Sequence, residues 1–125
     1  MLRKTAAALV FFLFVLGFST SAFAQKSTVL RVVVVKTDNF SVYTQELEKG
    51  KQLLKGMGIQ AQMRVWQARF AGPEAGAVVV SIEYPSMAAF AEADAKTNAS
   101  SDYQNWAKGL DKIRKIVSDS LYTEW

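Results

Sequence analysis

Residues 64–92 read RVWQARFAGPEAGAVVVSIEYPSMAAFAE, and this stretch decides the fold. Alternation of apolar and polar residues predicts a strand from Gln60 to Phe70. The segment AGPEAG is typical of a turn, and the β-branched run from Ala77 to Tyr84 predicts a second strand. Because the turn is short, we expect the two strands to form an antiparallel hairpin. Pro85 ends strand pairing, and Ser86 offers an N-cap oxygen to a following helix.

The flanking segments complete the order of elements. TVLRVVVVKT at residues 28–37 predicts a first strand, and the apolar stripe of residues 40–57 predicts a helix in which Gly50 lets the helix lie close to the sheet. After Ser86 an alanine-rich helix is interrupted by TNASSD, where Ser101 or Asp102 can cap the next turn, and KIVSDSLYTEW predicts a last strand. The order β-α-β-β-α-β is that of an α+β, ferredoxin-like domain, with two helices on one face of a four-stranded antiparallel sheet.

Both faces of this predicted sheet are apolar. In the first strand Leu30, Val32 and Val34 point to one side, and the other side carries valines together with Arg31. A sheet covered by helices on one face only should alternate apolar and polar residues. We therefore expect a second copy of the chain to cover the other face, which makes the protein a homodimer.

The N-terminal residues are typical of a signal peptide. Arg3 and Lys4 precede an apolar segment from Ala6 to Phe18, and Ala22-Phe23-Ala24 supplies the small residues that a signal peptidase accepts. Thirteen apolar residues are short for spanning a bilayer, which takes about 20. We expect cleavage after Ala24, export to the periplasm or the medium, and no stable membrane insertion of the single domain formed by residues 25–125.

The composition excludes several classes of chemistry. The chain has no cysteine and no histidine, so disulfides, thiolate nucleophiles, haem with a histidine ligand and histidine-dependent catalytic triads are excluded. The net charge is +4, but the basic residues are scattered rather than clustered. We expect no metal, no cofactor and no nucleic-acid partner.

Two stretches resemble a known superfamily. SIEYPSMAAFAEA at residues 81–93 and NWAKGLDKI at residues 105–113, together with the order of elements, resemble the dimeric α+β barrel superfamily, and within it small uncharacterised NIPSNAP-like and EthD-like proteins. The resemblance implies a homodimer of two face-to-face sheets, with ligands in a cleft on the face away from the helices. Haem-degrading and quinone-forming members use a histidine, which this chain lacks.

Four residues are candidates for a site in that cleft. Arg31 is interpreted as a clamp for an anion, or as one half of an ion pair between subunits or a snorkelling side chain. Glu83 is interpreted as a proton acceptor, as an ion-pair partner of Arg31 or Arg64, or as a solvent-exposed residue at the end of its strand. Trp66, on the same face as Arg64, stacks on an aromatic ligand or fills the dimer core.

Two functions follow from these alternatives. The first is an exported homodimeric module that either binds a small hydrophobic or aromatic molecule or is purely structural. The second is a cofactor-independent oxidoreductase or isomerase, similar to antibiotic-biosynthesis monooxygenases, that acts on an aromatic or quinone-like molecule. In that version Trp66 orients the substrate, Arg31 or Arg64 holds an anionic oxygen and Glu83 transfers the proton. A register shift of one residue would move Arg31 and Glu83 to the helix side.

Overall fold

A computed structural model describes residues 27–125 as an α+β domain with four strands and three α-helices. The elements are β1 (Val29–Lys36), α1 (Phe40–Gly56), β2 (Gln62–Gln67), a short 3-10 turn (Gly72–Glu74), β3 (Val78–Tyr84), α2 (Met87–Ala99), α3 (Ser101–Leu110) and β4 (Lys115–Thr123). The predicted signal peptide lies outside the described residues.

The four strands form one antiparallel sheet in the order β2-β3-β1-β4. The predicted hairpin is confirmed, because β2 and β3 pair directly and their connection contains the 3-10 turn. A β-bulge between Val34 and Val35 shifts the register of β1 against β4 near one end of the sheet. This arrangement is compatible with a ferredoxin-like fold.

Helix caps explain why the structure has three α-helices where the sequence predicted two. The Ser86 hydroxyl accepts a hydrogen bond from the amide of Ala89 at 3.0 Å, so the predicted N-cap of α2 is confirmed. Residue Ser100 has extended backbone angles, and its hydroxyl accepts a hydrogen bond from the amide of Tyr103. The chain therefore starts a new helix at the predicted break, with Ser100 as its cap rather than Ser101 or Asp102.

Gly50 brings two helices together, rather than a helix and the sheet as predicted. A Cβ atom added at Gly50 would lie 2.3 Å from two ring atoms of Trp106 in α3. The indole Nε1 of Trp106 donates a hydrogen bond to the Glu46 carbonyl oxygen in α1 at 3.0 Å. The missing side chain thus makes room for the indole against the backbone of α1.

The hydrophobic core lies between the helices and one face of the sheet. Its buried members include Val29, Val33, Val35, Tyr43, Leu47, Leu54, Val78, Val80, Ile82, Tyr84, Ala93 and Leu110. No helix within residues 27–125 is both long enough and apolar enough to cross a membrane.

Candidate functional site: an inner pocket and an open sheet face

Arg31 lies on the helix side of the sheet, so the prediction that it faces away from the helices is wrong. Its partner in the β1–β3 ladder is Ile82, and directly opposed residues share a face. Ile82 is buried in the core under the helices, as are Val29 and Val33 on either side of Arg31 along β1. The alternation within β1 was read correctly, but the core covers the Arg31 side of the strand.

Glu83, Arg64 and Trp66 lie on the other face of the sheet, as predicted. Glu83 is opposite Leu30 in β1, and the ladder between β2 and β3 places Arg64 opposite Ser81. The sheet itself therefore separates these three residues from Arg31. The proton-transfer arrangement that combines Arg31 with Glu83 is not assembled in this structure.

No element within residues 27–125 covers the face that carries these three residues. We call this surface the open face, and its apolar members are Leu30, Val32, Val34, Trp66, Val79 and Tyr122. Trp66 and Tyr122, on the two edge strands, remain 52% and 56% exposed. Trp66 is oriented by its Nε1, which donates a hydrogen bond to the Ser81 hydroxyl at 2.8 Å. The open face is thus an apolar strip with an aromatic ring at each edge.

A pocket of about 270 Å³ lies on the opposite side, between the sheet and the helices. We call it the inner pocket. Its apolar lining comes from the sheet and from α1 and α3, with Val33, Met63, Val80, Ile82, Ile116, Leu47, Trp106, Ala107 and Leu110. Its polar lining is Arg31, Asp94, Thr97, Asn98, Tyr103, Gln104, Arg114 and Asp119. The lining thus combines apolar and polar residues in about equal number, and a concave site with convergent polar groups is typical of small-molecule binding.

Arg31 and Asp119 form a two-point ion pair in the wall of the inner pocket. Arg31 Nε donates to one carboxylate oxygen at 2.9 Å and Nη2 donates to the other at 2.6 Å. The hydrogen bond from Arg31 lowers the pKa of Asp119, and the same bond raises the pKa of Arg31. The side chains are 37% and 38% exposed, so solvent still screens the pair. Of the interpretations of Arg31, the ion pair is the one observed, but within one chain.

Tyr103 supplies a neutral hydrogen-bond donor beside this ion pair. Burial raises its pKa, and the nearby positive charges of Arg31 and Arg114 only partly oppose that effect. Its hydroxyl has no hydrogen-bond partner among the described residues, while its ring lies 5.3 Å from the Trp106 ring at 53°. From the sequence, Tyr103 was interpreted as part of the apolar stripe of a helix and therefore as a core residue. Its place as a hydrogen-bond donor in the pocket wall was missed.

Arg114 closes one end of the pocket. Its Nη1 donates to the Tyr43 hydroxyl at 3.1 Å, and its guanidinium lies 5.9 Å from the centre of that ring. Its Nε is buried without an acceptor among residues 27–125, and the nearest carboxylate, that of Asp111, is 3.9 Å away. Buried donors without an acceptor are uncommon and costly.

The sequence contained one signal for the ion pair. Apart from a lysine at one end of each strand, Arg31 is the single charge in β1 and Asp119 the single charge in β4. Two opposite charges that lie at similar heights along neighbouring antiparallel strands are expected to pair. Finding that match required knowing that β4 pairs with β1.

The part of the chain that the structure describes contains no group of three or more acidic side chains that could hold a metal ion. In comparisons with known proteins, the chain matches no family model, no curated protein and no solved structure.

Proposed function

We propose that this chain is an exported, homodimeric protein that binds a small, uncharged, ring-containing molecule in the inner pocket. The observation that carries the proposal is the pocket itself, which combines an apolar lining with an internally neutralised ion pair and a free phenol donor. The dimer forms through the open face and gives the two sheets of an α+β barrel.

The size and charge of the inner pocket define the class of ligand. A volume of about 270 Å³ exceeds the roughly 150 Å³ of an engineered apolar cavity that binds benzene, so it suits a molecule of one or two rings. Asp119 neutralises Arg31, and the other two charged residues of the lining, Asp94 and Arg114, are opposite in sign, so the pocket has no net charge for a charged ligand to balance. The Tyr103 hydroxyl, neutral at pH 7, would donate to a carbonyl or ether oxygen, and the Trp106 ring would contact the apolar part of the ligand.

Native mass spectrometry of the purified protein tests the ligand. We expect an adduct of reproducible mass, or one that appears when a panel of uncharged aromatic compounds is added. The variant Ala107→Met extends a pocket-lining residue into the cavity and should abolish the adduct. Ala95→Met, exposed on α2 and outside the pocket, is the matched control and should retain it. An adduct that survives Ala107→Met would refute the pocket as its location.

The apolar composition of the open face supports the dimer. Leu30, Val32 and Val79 remain only half-buried in the single chain, on a face where polar residues are expected if water covers it. A two-fold axis places this strip against itself, so a second copy offers a matching apolar surface without any other protein. Light scattering over a range of protein concentrations measures the mass of the particle, and a monomer at every concentration would refute the dimer.

Export rests on residues 1–24 and is tested separately. Expression of the full chain in a Gram-negative bacterium should give periplasmic protein that begins at Gln25, as read by N-terminal sequencing. Cytoplasmic protein that still begins at Met1 would contradict it.

A further inference from the structure

A groove of about 740 Å³ lies at one end of the sheet, and Arg114 separates it from the inner pocket by lining both. We call it the end groove. Its walls come from residues 36–39 after β1, residues 75–77 before β3, and residues 112–115 before β4. Three connections therefore meet there, and Arg114 is the one lining residue that the groove shares with the inner pocket.

The end groove is strongly basic. Lys36, Lys112, Arg114 and Lys115 line it, and Asp38 is the one acidic residue of its lining. Lys36 and Lys115 are directly opposite each other in the β1–β4 ladder, a position in which like charges destabilise a sheet. An arrangement that holds four basic residues beside one acidic residue is most simply explained by a ligand that supplies the remaining negative charge.

The lysines of the groove differ from three of the five helix lysines, since Lys55 and Lys108 also lack an ion-pair partner among residues 27–125. Lys49, Lys51 and Lys96 each lie within ion-pair distance of a glutamate on their own helix. Within residues 27–125, by contrast, none of the three groove lysines has an ion-pair partner. What sets the groove apart is that three unpaired lysines line one concave surface.

Arg114 adds a further donor in the same wall. Its side chain is only 13% exposed, and its Nε is the buried side-chain atom without an acceptor in the described part of the chain. A buried donor without an acceptor lowers the stability of the protein when no ligand is bound. An oxyanion in the groove would offer a counter-charge to the Arg114 guanidinium.

The walls of the groove are also held in place before any ligand binds. The Thr37 hydroxyl donates to the Ile113 carbonyl oxygen at 2.7 Å and accepts from the Asn39 amide at 3.2 Å. This pair of bonds ties the β1–α1 connection to the α3–β4 connection. It also fixes the N-terminus of α1, which has no acidic residue in its first turn, so the helix dipole adds to the positive potential.

From these observations we propose that the end groove binds a multiply charged oxyanion of the phosphate class, either a free phosphate compound or the phosphate of a lipid headgroup. The unpaired lysines supply the counter-charge, and the fixed connections supply a preformed cradle. The proposal is independent of the inner pocket and of the dimer.

Titration of the purified protein with inorganic pyrophosphate at low ionic strength, followed by amide NMR shifts, tests the groove. We expect saturable shifts at Asn39, Gly76 and Ile113 and a higher melting temperature. The double variant Lys36→Gln/Lys115→Gln should weaken binding at least tenfold. Because it also removes a like-charge contact, this variant should fold at least as well as the wild type.

The double variant Lys51→Gln/Lys55→Gln is the matched control. It removes the same charge near the far end of α1, about 22 Å along the helix for Lys55, and should leave the affinity within twofold of wild type. If the two double variants weaken binding equally, or if the shifts do not saturate, the groove holds an adventitious ion only and the proposal is overturned.

Vesicle binding distinguishes the two sources of the phosphate. Vesicles of phosphatidylglycerol mixed with phosphatidylcholine are compared with vesicles of phosphatidylcholine alone. Binding to the anionic vesicles that Lys36→Gln/Lys115→Gln removes identifies a lipid headgroup, whereas binding of pyrophosphate without vesicle binding identifies a free compound. Binding of neither overturns the proposal.

Discussion

The two faces of the sheet have similar apolar sequences but different surroundings. On the helix side, the valines of β1 are buried with Ile82 in the core, and the same side carries the Arg31–Asp119 ion pair. On the open face, Leu30, Val32 and Val79 are only half-buried, and no described element covers them. The helix side is thus covered within one chain, whereas no element of residues 27–125 covers the open face.

This difference shows how charge and apolar surface are divided in a small domain. The helix side accommodates an arginine because an aspartate two residues away across the β1–β4 ladder neutralises it. The open face carries Arg64 and Glu83 on strands β2 and β3, beside the apolar strip that runs from Trp66 to Tyr122. The ion pair on the helix side suits a pocket with polar lining, and the apolar strip of the open face suits an interface that excludes water. For this reason we assign the ligand to the helix side and the dimer to the open face.

The largest expected effect comes from placing the same charge on either face of the sheet, at the neighbouring β1 residues Val33 and Val32. Val33→Asp puts a carboxylate into the core directly opposite Asp119, and we expect it to cost about 4 kcal/mol or more, enough to unfold much of the protein. Val32→Asp puts the same group on the open face between Ser81 and Ser120, and the chain should stay folded. Circular dichroism and urea denaturation measure both.

The same pair of variants tests the dimer. Val32→Asp should be a folded monomer by light scattering, because a carboxylate at the centre of the strip would be desolvated in the interface. A Val32→Asp protein that remains a dimer would contradict the open face as the interface. A Val33→Asp protein as stable as the wild type would contradict the assignment of the core.

A smaller effect is expected where α1 meets α3. Gly50→Ala places a Cβ in the Trp106 ring, whose hydrogen bond to Glu46 holds it there, so the overpacking should cost about 1–3 kcal/mol despite the better helix propensity of alanine. Gly56→Ala in the same helix meets nothing within 4 Å and should be neutral or stabilising by up to about 1 kcal/mol. If Gly50→Ala and Gly56→Ala have equal free energies of unfolding in urea, the Trp106 indole can move away from the added Cβ.

Much of the fold could be predicted from sequence because it depends on local signals. The hairpin follows from the turn segment, and the start of α2 follows from Ser86, both of which act within a few residues. The location of Arg31 depended instead on which side of β1 the helices cover, and a strand that is apolar on both faces gives no local indication of that. The partner of Gly50 was missed for the same reason, since Trp106 is distant in sequence.

The ion pair should have a modest effect that depends on pH. Asp119→Asn should lower the free energy of unfolding at pH 7 by up to about 1 kcal/mol, because the pair is partly exposed. Arg31 lowers the pKa of Asp119 in the folded state, so this stabilisation is present above the ordinary carboxyl pKa of about 4. It is lost as the pH falls from there through the lower folded-state pKa.

Urea denaturation of wild type and Asp119→Asn between pH 7 and pH 2 checks this dependence. The difference between the two proteins should shrink below about pH 4 and should also shrink with added salt. Glu124→Gln, which removes an exposed carboxylate just after β4, is the control and should show no such difference. A constant difference at every pH would mean that Asp119 acts through packing rather than through its charge.

The smallest effect on stability concerns the phenol that we assign to ligand binding. Tyr103→Phe should change the free energy of unfolding at pH 7 by less than about 0.5 kcal/mol, because the hydroxyl has no partner among the described residues. Burial raises the pKa of Tyr103, so folding opposes its ionisation, and stability present below pH 10 is lost as the pH rises from there through the folded-state pKa.

Ultraviolet titration of tyrosinate checks the pKa directly. Burial also raises the pKa of Tyr84, so the wild type should have a late component from both residues, and Tyr103→Phe should reduce it without removing it. Tyr103→Phe should also weaken binding of the aromatic compound that Ala107→Met abolishes, although the free energy of unfolding of Tyr103→Phe is almost unchanged. If the late component stays intact while the adduct is lost, Tyr103 is not buried as described and its part in binding needs another explanation.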